Sequence, residues 1–292
     1  MSVQMLSSTV ACEPEAFALL KYNAMLTHAD IVSMYQSSSP LCGFIKSANL
    51  EKEEFTVLLS DSVTATMPFK ESRIQSHLFT VLVNSTGDKI LSFYCKSLIG
   101  TYVTVHIHSI SGTNFTVSRI PTLWKSFNQI ITECQNPNSI YKCVVLSIAT
   151  KSVFVDIGGG IVGIVPIQNL SCLRYTNLKR WIHVGDSFYA KMDASSEFSK
   201  MKFTLSRKEY SIATISANTF QKNDIVSVLV GDKVPTNDGY FVELTPGICG
   251  VMDSNRVIRE GSTALGVISK ITPDSHLPCG YRIKLNEVFR RF

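Results

Sequence analysis

A strand, a turn and a second strand recur three times in this chain, each time followed by two closing strands, and that repeat limits what the chain can fold into. The copies are EFTVLLSDSVTATMPF from Glu54, VFVDIGGGIVGIVPI from Val153 and YFVELTPGICGVMD from Tyr240. They close with YVTVHIHSI and NFTVSR, with SFYAKM and KFTLSR, and with TALGVISKI and RIKLNE. An opening strand precedes each, clearest in YKCVVLSI at Tyr141 and DIVSVLV at Asp224. In alignment, Phe55, Phe154 and Phe241 share one place, as do Ala65, Gly163 and Gly250.

The central copy shows how the unit is built. Alternation in FVDI sets Val155 and Ile157 on one side and Phe154 and Asp156 on the other. Gly158, Gly159 and Gly160 permit a tight turn with positive φ. The β-branched return from Ile161 to Ile167 carries Gly163 where a barrel must bend or admit another backbone. With an opening strand and two closing strands, this is the strand order of a small closed barrel.

Between the copies the pattern changes. TLWKSFNQIITECQNPNS sets Leu123, Phe127, Ile130 and Ile131 at near-helical spacing after a capping Thr122, which predicts a linker helix over 122–139. A shorter linker spans 209–223, and PEAFALLKYNAML reads as an N-terminal helix within 1–27. The domains expected are therefore 28–121, 140–208 and 224–292.

Charge is uneven along the chain. The net +5 falls in residues 122–215, which hold 11 basic and 6 acidic side chains, while the flanking thirds are nearly balanced. That excess suits a phosphate-facing surface. The 8 cysteines form no CxxC pair and read as reduced structural thiols. His106 and His108 share a strand face without further ligand spacing, so no metal or cofactor is expected. No apolar run reaches membrane-spanning length and the N-terminus lacks a secretory pattern, so the location expected is cytoplasmic, with no membrane partner.

On FVDIGGGIVGIVPIQNLS, VGD and KFTLSRK, the central unit resembles the S-one domain, an OB-fold repeat of a bacterial ribosomal protein. The third unit is a weaker match and the first is recognised only by alignment to the others. The fold class implied is mainly β: three tandem five-stranded OB-fold barrels joined by short linker helices, as in a short bacterial protein of three such domains.

The resemblance also implies single-stranded RNA as partner, as mRNA or rRNA, with a ribosome-associated or translation role. Family barrels present two aromatics, a histidine, a basic residue and a loop aspartate. Here Phe154 matches the second aromatic, Lys151 replaces the first, Pro166 replaces the histidine, Lys202 is the basic residue and Asp193 the acidic one. In the third unit Phe241 and Arg282 match, while Asp238 and Asp253 depart from the pattern; in the first, Phe55 stands beside Asn114. Arg207 and Lys208 follow the last central strand, and Lys179, Arg180 and Trp181 add a basic and aromatic group in the excursion before it. Such residues suit RNA because aromatic rings stack on bases of any identity and cations track phosphate.

The same residues bear on two other functions. Loss of part of the family pattern in every copy would suit a protein-interaction scaffold of eroded barrels. Catalysis finds no support: there is no nucleophile elbow, the glycine turn leads into a strand instead of a helix N-terminus, and the repeats leave no segment for a catalytic domain.

Overall fold

The computed structural model describes residues 14–15, 22–75, 77–78, 81–83, 85–87, 89–136, 139–173, 178–214, 219–235, 239–277 and 280–288. Three closed five-stranded barrels follow one another along the chain. The first uses β1 (Leu41–Asn49), β2 (Glu54–Leu58), β3 (Thr64–Pro68), β6 (Tyr102–Ser111) and β7 (Asn114–Ser118). A hairpin of β4 (Val81–Val83) and β5 (Lys89–Leu91) and helix α2 (Phe93–Leu98) interrupt it between β3 and β6. The central barrel uses β8 (Ile140–Ile148), β9 (Ser152–Asp156), β10 (Val162–Pro166), β11 (Ser187–Met192) and β12 (Phe203–Ser206), with a one-turn helix α4 (Ile167–Leu170) after β10. The third uses β13 (Ile225–Lys233), β14 (Gly239–Thr245), β15 (Ile248–Asp253), β16 (Thr263–Pro273) and β17 (Tyr281–Glu287).

Within each barrel the neighbour order is first, second, third, fifth, fourth, with the third and fifth strands parallel. This is the five-stranded OB arrangement, and closure removes free strand edges. Period-two alternation fills the interiors: Phe55, Val57, Met67 and Phe115 in the first, Val153, Val155, Val165, Phe203 and Leu205 in the second, Val242, Met252, Ile283 and Leu285 in the third. Where the third and fifth strands meet, a Cβ on Gly250 would lie 2.7 Å from the Ile283 carbonyl, and one on Gly163 would collide with Leu205. These two positions need glycine for close approach, whereas Ala65 fits at the same place in the first barrel.

The register corrects the alignment of the aromatics. Ala65, Gly163 and Gly250 are equivalent, paired with Val57, Val155 and Val242. Phe55 instead pairs with Met67 and is fully buried, so it corresponds to Val153 and Tyr240, and the outward counterpart of Phe154 and Phe241 is Thr56. A one-residue slip in a strand exchanges the faces, which a shared phenylalanine cannot reveal.

The helices differ in position from expectation. Helix α3 spans Ile120–Cys134 and starts before Thr122, with Pro121 in its first turn, where a missing N–H costs no hydrogen bond. Leu123 and Ile130 are buried on its inner face, and Phe127 and Ile131 pack half-buried on the central core. Helix α5 covers Arg207–Thr214, so Arg207 and Lys208 lie on a helix directly after β12. The expected N-terminal helix falls largely on residues 16–21, outside the described set, and Tyr22–Leu26 are non-helical. A helix appears instead at α1 (His28–Gln36), where Thr27 and Asp30 form a reciprocal capping box. Among the described residues, no helix is long and apolar enough to cross a membrane.

Candidate nucleic-acid interface

The outer faces of the second, third and fifth strands can be compared position by position. In the central barrel Phe154 pairs with Ile164, which pairs with Thr204; the Thr204 carbonyl accepts the Asp193 amide at 2.8 Å. One row along the same face, Asp156 pairs with Val162, beside Lys202 at the mouth of β12. Phe154 and Lys202 therefore share a face, bounded at one edge by the Asp193 loop. In the third barrel the same rows hold Phe241, Val251 and Lys284, then Glu243, Cys249 and Arg282. In the first they hold Thr56, Thr66 and Thr116, then Leu58, Thr64 and Asn114, with neither aromatic nor cation.

The accessible chemistry of the two aromatic faces differs. Phe241 is 41% exposed, and Lys284 and Arg282 stand beside it on β17, paired with Asp253 at 2.8 Å and Asp274 at 2.8 Å. Phe154 is half-buried, packed against a cluster that Val162 joins to the first barrel's core. Lys202 faces Glu197 at 3.6 Å. Exposed pairs of this kind contribute only about 0–1 kcal/mol, so exchanging a carboxylate for a phosphate is cheap.

The remaining sequence candidates lie elsewhere. Lys151 is exposed in the β8–β9 turn, at the far end of the face from Lys202. Asp193 caps its own loop, accepting from Ser195 N at 2.8 Å, Ser195 Oγ at 2.6 Å and Asn169 Nδ2 at 2.9 Å; the Ser195 hydroxyl chiefly holds its carboxyl below the usual range. Lys179 and Arg180 form a short 3-10 turn with Leu178, and Trp181 packs half-buried on the central core. The Arg207 guanidinium sits 5.2 Å from the Phe188 ring centroid, and Lys208 packs on the Gly247 turn of the third barrel. Asp238 lies outside the described residues.

What sequence reading missed is how the barrels are joined. Asp156 is 2% exposed: its carboxylate accepts the amides of Glu15 at 2.7 Å, Gly158 at 2.8 Å and Gly160 at 3.1 Å. Glu15 is in turn ion-paired with Arg119, whose Nη1 donates to Ser72 O at 3.0 Å, and the Thr104 amide donates to Glu15 at 3.0 Å. Gly160, at φ +82°, leaves no room for a side chain, because a Cβ would meet both Arg119 and Glu15. At the equivalent position in the third barrel, Glu243 accepts from Ser171 Oγ, from Cys172 N at 3.3 Å and from Gly247 N at 3.0 Å. Each joint thus uses one carboxylate to gather its own glycine turn and a preceding segment of chain. No periodicity marks such a residue, since its partners are distant in sequence.

Burial first, and the Glu15 carboxylate second, push Asp156 from its ordinary 3.8 up to about 7, against the amide donors and Arg119. The folded protein thus holds a proton that the unfolded chain releases. The stability this adds is fully present below pH 3.8 and is lost as pH rises through about 7. Denaturant unfolding should therefore show stability falling between these values, by at most about 1.4 kcal/mol per pH unit from this group. Asp156→Asn should flatten the slope; an unchanged slope would remove Asp156 as its source. Burial also raises Glu243, so part of the slope stays in that variant.

Comparison with known proteins adds a family match. Residues 135–195 match the family described as S1 RNA binding domain. No curated protein matches the chain. Among solved structures, the chain is similar to a multidomain protein with nucleic acid binding domains from Streptococcus pneumoniae TIGR4, at 14% identity over 87% of this chain and 75% of that one, TM-score 0.32. It is also similar to a chain of the a/eIF2alpha-aDim2p-rRNA complex from Pyrococcus horikoshii OT3, at 15% identity over 27% of this chain and 55% of that one, TM-score 0.23. The central barrel thus carries the match to the S1 RNA binding domain family, and the three barrels, which share one strand order, fit a tandem array of S1-like OB domains.

Proposed function

We propose that this chain is a non-catalytic, cytoplasmic binder of single-stranded RNA, acting on mRNA or rRNA through its central and third barrels. The observation that carries the reading is the repeated pairing of an outward phenylalanine with cations on one face: Phe154 with Lys202, and Phe241 with Lys284 and Arg282. The rings stack on unpaired bases and the cations neutralise phosphate, so affinity is sequence-tolerant and salt-dependent. Association with the ribosome is the setting that the central family match favours.

Titrating a fluorescent single-stranded RNA into the chain at two salt concentrations tests this. Binding should weaken as salt rises, and Phe154→Ala/Lys202→Ala should lower affinity about tenfold or more, the effect of removing one stacking ring and one phosphate-neutralising cation. Absence of binding by the parent chain at low ionic strength would overturn the reading.

For the first barrel a scaffold role is favoured by its threonine-lined face and by its nearly balanced charge. Ultraviolet crosslinking of RNA to the whole chain should then give peptides containing Phe154 and Phe241 and none containing Thr56 or Thr66.

A further inference from the structure

We infer that the excursion after β3 of the first barrel completes the RNA face of the central barrel, with Arg73 and His77 joining Lys202 in a phosphate site that spans the two barrels. This rests on the RNA-binding reading above. It assigns a binding role to residues of the first barrel, whose own strand face has neither aromatic nor cation.

The geometry starts from Gln75. Its side-chain amide is buried and pairs with the backbone of β10 in both directions: Nε2 donates to Val162 O at 2.7 Å, and Oε1 accepts from Val162 N at 2.8 Å. The same Nε2 donates to Met201 O at 3.0 Å. Val162 and Met201 are the residues that flank Lys202 at this edge of the face, so the clamp fixes the excursion beside the central barrel's basic residue. Ile74, next to Gln75, packs half-buried against the central core, and Leu78 closes a turn through its amide to Gln75 O at 3.1 Å.

This short, anchored turn carries two nitrogen-rich side chains. Arg73 is half-buried, and its Nη1 donates to Gln75 O at 3.3 Å, which orients the guanidinium. His77 is half-buried, and its Nδ1 is covered without a hydrogen-bond partner among the described residues. Burial first, then the charges of Lys202 and Arg73, hold this imidazole below its usual range. A neutral imidazole still donates one N–H, while Arg73 and Lys202 supply charge. Two acidic residues lie at this edge: Asp156, buried in the row of Val162, and Glu197, which pairs with both Lys200 and Lys202. Cations gathered at one edge of a stacking face suit a bridging phosphate, whose oxygens accept from guanidinium, ammonium and imidazole together.

The test uses the whole chain, a fluorescent oligouridine and a salt series. Arg73→Gln/His77→Gln should bind about fivefold more weakly at low salt, and its slope of log affinity against log salt should fall by about 0.7 for each phosphate no longer neutralised. Arg73→Lys, which keeps the charge, should retain the parent slope. If the parent binds and the double variant matches it in affinity and slope, the bridging site is wrong while the RNA-binding reading stands. If the parent does not bind at low salt, both fall. Should the double variant unfold, crosslinking to the parent chain decides: labelled peptides covering residues 73–78 uphold the site, and labelling at Phe154 without them overturns it.

Discussion

Arg119→Ala should destabilise the joint between the first and central barrels by about 3–5 kcal/mol, the cost of leaving a buried charge without its partner. Arg119 is 1% exposed and Glu15 8%. Removing the guanidinium leaves the Glu15 carboxylate with the Thr104 amide and sets it beside the Asp156 carboxylate. Two carboxyls in that space favour protonation or separation. The change should appear as a lower denaturant midpoint for the first two barrels, with an early transition if the third unfolds separately. Arg119→Met/Glu15→Gln should recover at least half of the loss, because neither partner is then an unpaired charge. If Arg119→Ala costs under about 1 kcal/mol, the pair behaves as a solvated surface bridge.

Phe154→Ala/Phe241→Ala should weaken binding of an RNA long enough to span both barrels by about thirtyfold or more, since each stacked base is worth about 1–3 kcal/mol. The two rings stand on separate barrels, so their effects should add. On an RNA long enough for one barrel only, the double variant should lose little beyond the larger single effect, because the second face then adds no effective concentration. Phe154 also packs against the cluster around Val162, so truncation carries a stability cost that Phe241→Ala lacks. Phe154→Leu separates the two: it keeps most of the packing and removes the ring. If Phe154→Leu binds long RNA as the parent does, the central ring is a packing residue and the third barrel carries the stacking.

The third barrel emerges as the more open of the two aromatic faces, although the net charge and the family match both lie in the middle of the sequence. The reason is steric. The central face shares an edge with the first barrel through Val162 and Gln75, while Phe241 is open to solvent and has Lys284 in its own row. Nothing in the sequence singles out Lys284, because Arg282 stands at the start of the closing strand. Only the parallel register of β15 and β17 shows which cation is level with the ring.

The amino-acid order alone specified three barrels, their succession and the close approach at Gly163 and Gly250. These follow from local alternation, turn chemistry and a repeat, each legible within about ten residues. It did not determine which face Phe55 takes, where α3 and α5 begin, or that Asp156 and Glu243 are buried. Nor did it place Gln75 against Val162 and Met201, the neighbours of Lys202. Those features depend on which barrel surfaces meet. Such a meeting is set by partners about 70 to 140 residues apart, as Glu15 to Asp156 and Ser171 to Glu243 are, and leaves no periodic trace in the chain.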